Sequence, residues 1–69
     1  MKKETFTVNG MKCNMCRQKV EQALNAIDGV ENAVANLEDK NVEISYNEAE
    51  VTPEAFVEAV DAIGFELEK

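Results

Sequence analysis

The sequence predicts an α+β domain with a four-stranded antiparallel sheet and two helices on one of its faces, in the order β-α-β-β-α-β. Three observations predict it. Segments with a two-residue apolar repeat and segments with a helical repeat follow one another in that order. Each helical segment has a single apolar stripe, so both helices must cover the same sheet face. The opposite face, with Thr5, Thr7, Val34, Glu43 and Ser45, is then left wet. Finally, 69 residues suffice for one small domain, expected over residues 1–69.

Lys3 to Val8 alternates, with Phe6 and Val8 inward and Thr5 and Thr7 outward, and its β-branched and aromatic residues favour a strand. Asn9-Gly10 breaks it. That pair is also a hairpin signal, but no second strand follows, so a loop is expected. From about Asn14 to Ile27 the period becomes helical, with Cys16, Val20, Ala23, Leu24 and Ile27 on one face. Gln18, Glu21, Gln22 and Asn25 take the other face. Asn14 is the candidate N-cap, and Gly29 can take positive φ past the helix end. Val30 to Leu37 follows as a strand, with Ala33, Ala35 and Leu37 inward and Val34 outward. Glu38-Asp39-Lys40-Asn41 is a polar hairpin turn, and Val42, Ile44 and Tyr46 alternate with Glu43 and Ser45 in a half-buried strand. Asn47 to Val51 connects to Thr52-Pro53-Glu54, a helix start with a cap, a proline at the first helical position and an acid in the first turn. Phe56, Ala59, Val60 and Ile63 form the second stripe, Gly64 ends the helix, and Phe65 to Glu68 is a short last strand. Two such βαβ halves, each with a right-handed crossover, make a ferredoxin-like plait.

Composition excludes several classes of function. The net charge of -7 argues against nucleic acid or an anionic membrane as the main partner. No run approaches the roughly 20 apolar residues of a membrane span, so no stable membrane insertion is expected. Met1-Lys2-Lys3-Glu4-Thr5 lacks the apolar centre of a signal peptide, and a cytoplasmic protein is expected. The charge is unevenly placed. Lys2, Lys3, Lys12, Arg17 and Lys19 face Glu4 alone within residues 1–19, whereas Lys40 and Lys69 face thirteen acids beyond them. The cations thus gather around the only two cysteines.

Those cysteines, Cys13 and Cys16, fall where a loop becomes a helix. A spacing of i, i+3 across such a turn can bring both sulfurs to one metal ion. The helix N-terminus and the cations Lys12, Arg17 and Lys19 favour thiolate over thiol. Two thiolates are too few for a closed structural zinc site, and the chain has no histidine. Soft Cu(I) accepts two sulfurs in a near-linear arrangement. A lone Cys-x-x-Cys is also a thioredoxin-like redox motif, and two small buried core residues would be the unremarkable alternative.

Gly10-Met11-x-Cys13-x-x-Cys16 after a first strand resembles the heavy-metal-associated domain of bacterial copper chaperones and of copper-transporting P-type ATPases. Asp28-Gly29-Val30, Asn36-Leu37 and Ala62-Ile63-Gly64-Phe65 extend the resemblance over essentially the whole chain. It implies that Cys13 and Cys16 are the Cu(I) ligands, that Gly10 allows the turn and that Met11 packs beneath the loop without binding metal. Phe65 stands at the position facing the metal site, where many bacterial chaperones have Tyr and many ATPase domains Phe. Lys12 replaces the usual Thr or Ser, and relatives that export zinc often have Asp there, so its cation argues against zinc. Met15 replaces a polar residue. It is expected to point outward as an apolar contact for a partner, with a weak third ligand as the alternative.

The resemblance implies a soluble Cu(I) chaperone, not an enzyme, that passes its cargo by thiolate exchange to the metal-binding domain of a copper-transporting P-type ATPase. It implies a monomer or a copper-bridged dimer. The domain boundaries favour a stand-alone chain over an N-terminal ATPase domain, and a mercury- or zinc-binding relative is a further alternative. A thiol–disulfide oxidoreductase fits less well, because the chain lacks Trp, is short for that fold and uses its one proline, Pro53, to start a helix. Arg17, Lys19 and Lys12 are expected to form the docking rim for a partner with an acidic surface.

Overall fold

The computed structural model describes residues 2–68; Met1 and Lys69, the two ends of the expected domain, lie outside the described residues. Six elements follow in the expected order: β1 (Lys2–Asn9), α1 (Asn14–Asn25), β2 (Val30–Asn36), β3 (Asn41–Tyr46), α2 (Pro53–Ala62) and β4 (Glu66–Glu68). The four strands form one antiparallel sheet in the order β2-β3-β1-β4. This is the ferredoxin-like plait.

Several boundaries differ from the sequence expectation for local reasons. α1 stops two residues before Ile27, because a tighter bond from Ile27 N–H to the Leu24 carbonyl (3.1 Å) closes the last turn. Ile27 still packs on the core from the turn that follows. The N-cap of α1 is Cys13, with extended backbone at φ -152°, and Asn14 is already helical. The register pairs Asn36 with Asn41, so the hairpin turn spans residues 37–40 and Lys40 takes φ 55°. Asp39 N–H donates to Asn36 Oδ1 (3.1 Å) and pins that turn. Thr52 caps α2 by position, but its hydroxyl makes no cap bond. Phe65 precedes β4 instead of opening it.

The core lies between the helices and one sheet face. Phe56 on α2 meets Phe6 and Tyr46 edge-on, with ring centroids 6.0 and 4.9 Å apart. Val8, Val20, Leu24, Val42, Ile44 and Val60 are fully buried around them. The other face carries exposed Thr5, Thr7, Val34 and Glu43 and half-buried Ser45, as the alternation predicts. At the end of the sheet where β1 begins, the buried Tyr46 hydroxyl donates to Glu4 Oε1 (2.9 Å), which also pairs with Lys2 Nζ (3.0 Å). The Lys2 bond, then the Tyr46 bond, holds the Glu4 carboxyl below its ordinary pKa; burial first, and then Glu4, raises that of Tyr46.

β2 is an edge strand, and α1 closes it. Ala33 and Ala35 are small and buried, so α1 approaches closely enough for its side chains to reach past the strand. Asn25 Oδ1 accepts Ala33 N–H (2.9 Å) and Asn25 Nδ2 donates to the Ala33 carbonyl (3.2 Å). Glu21 Oε2 accepts Ala35 N–H (2.8 Å). These bonds satisfy main-chain groups that would otherwise invite another strand.

Candidate metal centre

The site is built at the junction of β1 and α1. Gly10 has φ +105°, a conformation that strains any residue with a Cβ. A Cβ there would also lie 2.9 Å from Phe65 Cδ1, so the Phe65 ring closes directly over the turn. Met11 is 4% exposed and belongs to the core. It anchors the loop from below, as expected. Lys12, Cys13, Asn14 and Met15 then run along the surface, and Met15 is 68% exposed.

Cys13 is exposed and Cys16 half-buried against the core, both as free thiols with their sulfurs 3.4 Å apart. Backbone N–H of Lys12 is the main cause that lowers the Cys16 pKa; the Cys13 thiol follows, then Cys13 N–H and, last, the Lys19 charge, against opposing desolvation. α1 has no acid in its first turn to compete for these donors. The lowered thiol pKa agrees with the sequence reading, but its origin lies mainly in backbone donors and only weakly in a nearby cation. Lys12 contributes through its N–H.

Among the described residues, no group of three His, Cys, Asp or Glu could hold a metal together. The donor set is two soft sulfurs. With metal–sulfur bonds of about 2.3 Å, a linear bridge needs about 4.6 Å between sulfurs. The sulfurs lie closer than that, at 3.4 Å, and Cys13 is the exposed one of the two.

The surrounding cations differ in state. Lys12 and Lys19 are exposed and form no ion pair among the described residues. Arg17 is half-buried, and its Nη1 donates to Glu21 Oε1 at 2.8 Å. Arg17, expected in the docking rim, is thus ion-paired with Glu21. Glu21 and Asn25, placed by the sequence on a solvent face, both reach the edge of β2. The i, i+4 spacing of Arg17 and Glu21 was the available signal for that pair; nothing in the local sequence pointed to Ala35.

Residues 5–66 match the heavy-metal-associated domain. The chain belongs to that family. It is 37% identical over 67 residues to the copper chaperone CopZ of Staphylococcus epidermidis, covering 97% of this chain and 98% of that one. Its fold superposes on a CopZ metallochaperone with TM-score 0.92 at 36% identity, over 96% of this chain and 98% of the other. It is equally similar to the N-terminal domain of a potential copper-translocating P-type ATPase from Bacillus subtilis in the Cu(I)-loaded state. There the TM-score is 0.91 and the identity 38%, over 96% and 82% of the two chains. Proteins named as a metallochaperone and as a transporter domain thus share this fold. No helix among the described residues is long and apolar enough to cross a membrane.

Proposed function

We propose that this chain is a soluble, cytoplasmic copper chaperone, one domain over residues 1–69, that carries one Cu(I) on Cys13 and Cys16. The observation that supports this most is the pair of adjacent thiols at a helix N-terminus, one exposed and one with lowered pKa, with no group of three His, Cys, Asp or Glu that could hold a metal among the described residues. Soft, two-coordinate sulfur suits Cu(I) better than zinc, which takes four ligands. The relatives are named as metallochaperones, which fits a carrier and not an enzyme.

Transfer proceeds by ligand exchange. A thiolate of the acceptor binds the copper, three sulfurs share it, and one original cysteine leaves as thiolate. Cys13 is the exposed sulfur and meets the incoming ligand first. Gly10, Met11 and Phe65 hold the loop, while Lys12, Lys19 and Met15 surround it as the docking face. The acceptor is the metal-binding domain of a copper-transporting P-type ATPase with an acidic rim. A second reading, that the chain is itself such a domain, is favoured by the 38% identity to the Bacillus subtilis domain and by Phe65.

Competition titrations with Cu(I), Zn(II) and Hg(II) test the metal. The expected outcome is one Cu(I) per monomer, held in preference to Zn(II); a preference for Zn(II) or Hg(II) at matched free-ion concentrations would redirect the proposal to those metals. Stopped-flow transfer to an isolated ATPase domain tests the direction of transfer.

A further inference from the structure

Glu21 grips two things at once. Its Oε1 holds Arg17 Nη1 at 2.8 Å, and its Oε2 holds Ala35 N–H at 2.8 Å on the free edge of β2. Both side chains are largely shielded, at 28% exposure for Arg17 and 21% for Glu21. Arg17 follows Cys16 directly, and its own N–H donates to the Cys13 carbonyl (3.1 Å) in the first turn of α1.

We propose that Glu21 sets which charges the thiol site presents: by pairing Arg17 and anchoring to Ala35 it makes Arg17 part of the scaffold and leaves Lys12 and Lys19 as the docking cations. This rests on reading that face as a docking surface. A guanidinium paired at hydrogen-bond distance projects little net field, because the carboxylate cancels it nearby. Breaking the pair to meet a partner would strand Glu21, which stays bound to the Ala35 amide. The ammonium groups of Lys12 and Lys19 carry no such obligation, so an approaching acidic surface meets them first. Glu21 is thus a specificity-determining residue that touches no metal.

The test reads the electrostatic potential at the thiols of the metal-free chain. The probes are a dianionic aromatic disulfide and neutral iodoacetamide, and the measured quantity is the ratio of their reaction rates. Changes in thiol pKa largely cancel in that ratio. A unit charge about 10 Å from a dianion changes encounter about threefold at 0.01 M ionic strength and hardly at all at 1 M. Glu21→Gln keeps an oxygen for Ala35 N–H but frees the Arg17 charge, so the ratio should rise about threefold at low salt and return to the wild-type value at high salt. Arg17→Gln should lower it, and the double variant should match the wild type. Slow amide exchange at Ala35 in Glu21→Gln, and fast exchange in Glu21→Ala, would confirm the anchor. An unchanged ratio in Glu21→Gln, or a double variant well below the wild type, overturns the proposal, because Arg17 would then have been acting as an open cation. The assay needs neither metal nor acceptor, so its failure is separate from a failure of Cu(I) binding.

Discussion

The two strand-to-helix junctions of this pseudo-repeat solve the same structural problem in opposite ways. After β3, the connection closes upon itself. Asn47 N–H donates to the Gly29 carbonyl (2.8 Å), Glu50 and Val51 N–H donate to the Asn47 carbonyl, and Asn47 Oδ1 accepts Ala49 N–H (3.0 Å). The helix that follows begins with Pro53, which brings no N–H, and with Glu54 in its first turn. After β1, the connection has Gly10 in place of that network and no acid at the helix start, and backbone donors at Lys12 and then the Cys13 thiol lower the Cys16 pKa. Each junction sinks one apolar side chain, Met11 or Val51, into the core. The two junctions thus differ in what surrounds the helix start: side-chain and main-chain bonds of its own at α2, and two thiols at α1.

The largest expected effect is loss of the thiols that distinguish the first junction. Cys13→Ser and Cys16→Ser should each weaken Cu(I) binding by more than the roughly 100-fold typical of outer-shell changes, since a hydroxyl is a hard ligand. Chelator competition measures this, and near-wild-type affinity in either variant would remove the proposed site.

The next effect concerns the anchors. Met11→Ala should cost about 2–5 kcal/mol of unfolding free energy in urea titrations. Val51→Ala removes less volume and should cost less. If the order is reversed, the first loop is not pinned by its methionine.

Gly10→Ala follows, at about 1–3 kcal/mol, because positive φ and the approach of Phe65 act together. Gly64 has φ +89° but nothing within 4 Å of an added Cβ, so Gly64→Ala should cost only the backbone part. Equal costs would mean that the Phe65 ring yields freely.

The smallest effect is the pH dependence of the metal-free fold. The Cys16 pKa is lower folded than unfolded, so the folded state favours thiolate. Its stabilising contribution is complete above the ordinary thiol value, about 8.5, and disappears as pH falls through the lowered value. Urea midpoints should therefore rise slightly with pH in this window for the wild type and not for Cys16→Ser. A parallel rise in both would assign it to other groups.

Much of this was legible in the chain. The alternation of Phe6, Val8, Val42, Ile44 and Tyr46 and the helical stripe of Val20 and Leu24 mark elements whose burial is set by local period. Gly10 and the cysteines mark the junction because few residues tolerate that backbone or supply that chemistry. Glu21 and Asn25 were illegible for a clear reason. Their partners, Ala35 and Ala33, lie 14 and 8 residues away, on a strand edge whose exposure depends on strand order. The Arg17–Glu21 pair was legible in its i, i+4 spacing, whereas the bond that holds Glu21 to the edge was not. Helix limits moved by a residue or two where a cap bond, invisible in the residue pattern, decided them.

Tyr46 is the only tyrosine and the chain has no tryptophan. It pairs with Lys2 at the start of β1, whereas the thiols follow the end of that strand. At roughly 3.3 Å per residue, the eight-residue strand sets the two ends more than about 20 Å apart. Ultraviolet emission from this domain therefore originates mainly from one ring that contacts Phe56 and a carboxylate, far from the thiols. Loading, oxidation or alkylation of the sulfurs should leave that light nearly constant, while global unfolding should change it. Tyr46 would thus report on the scaffold and be almost blind to events at the thiols.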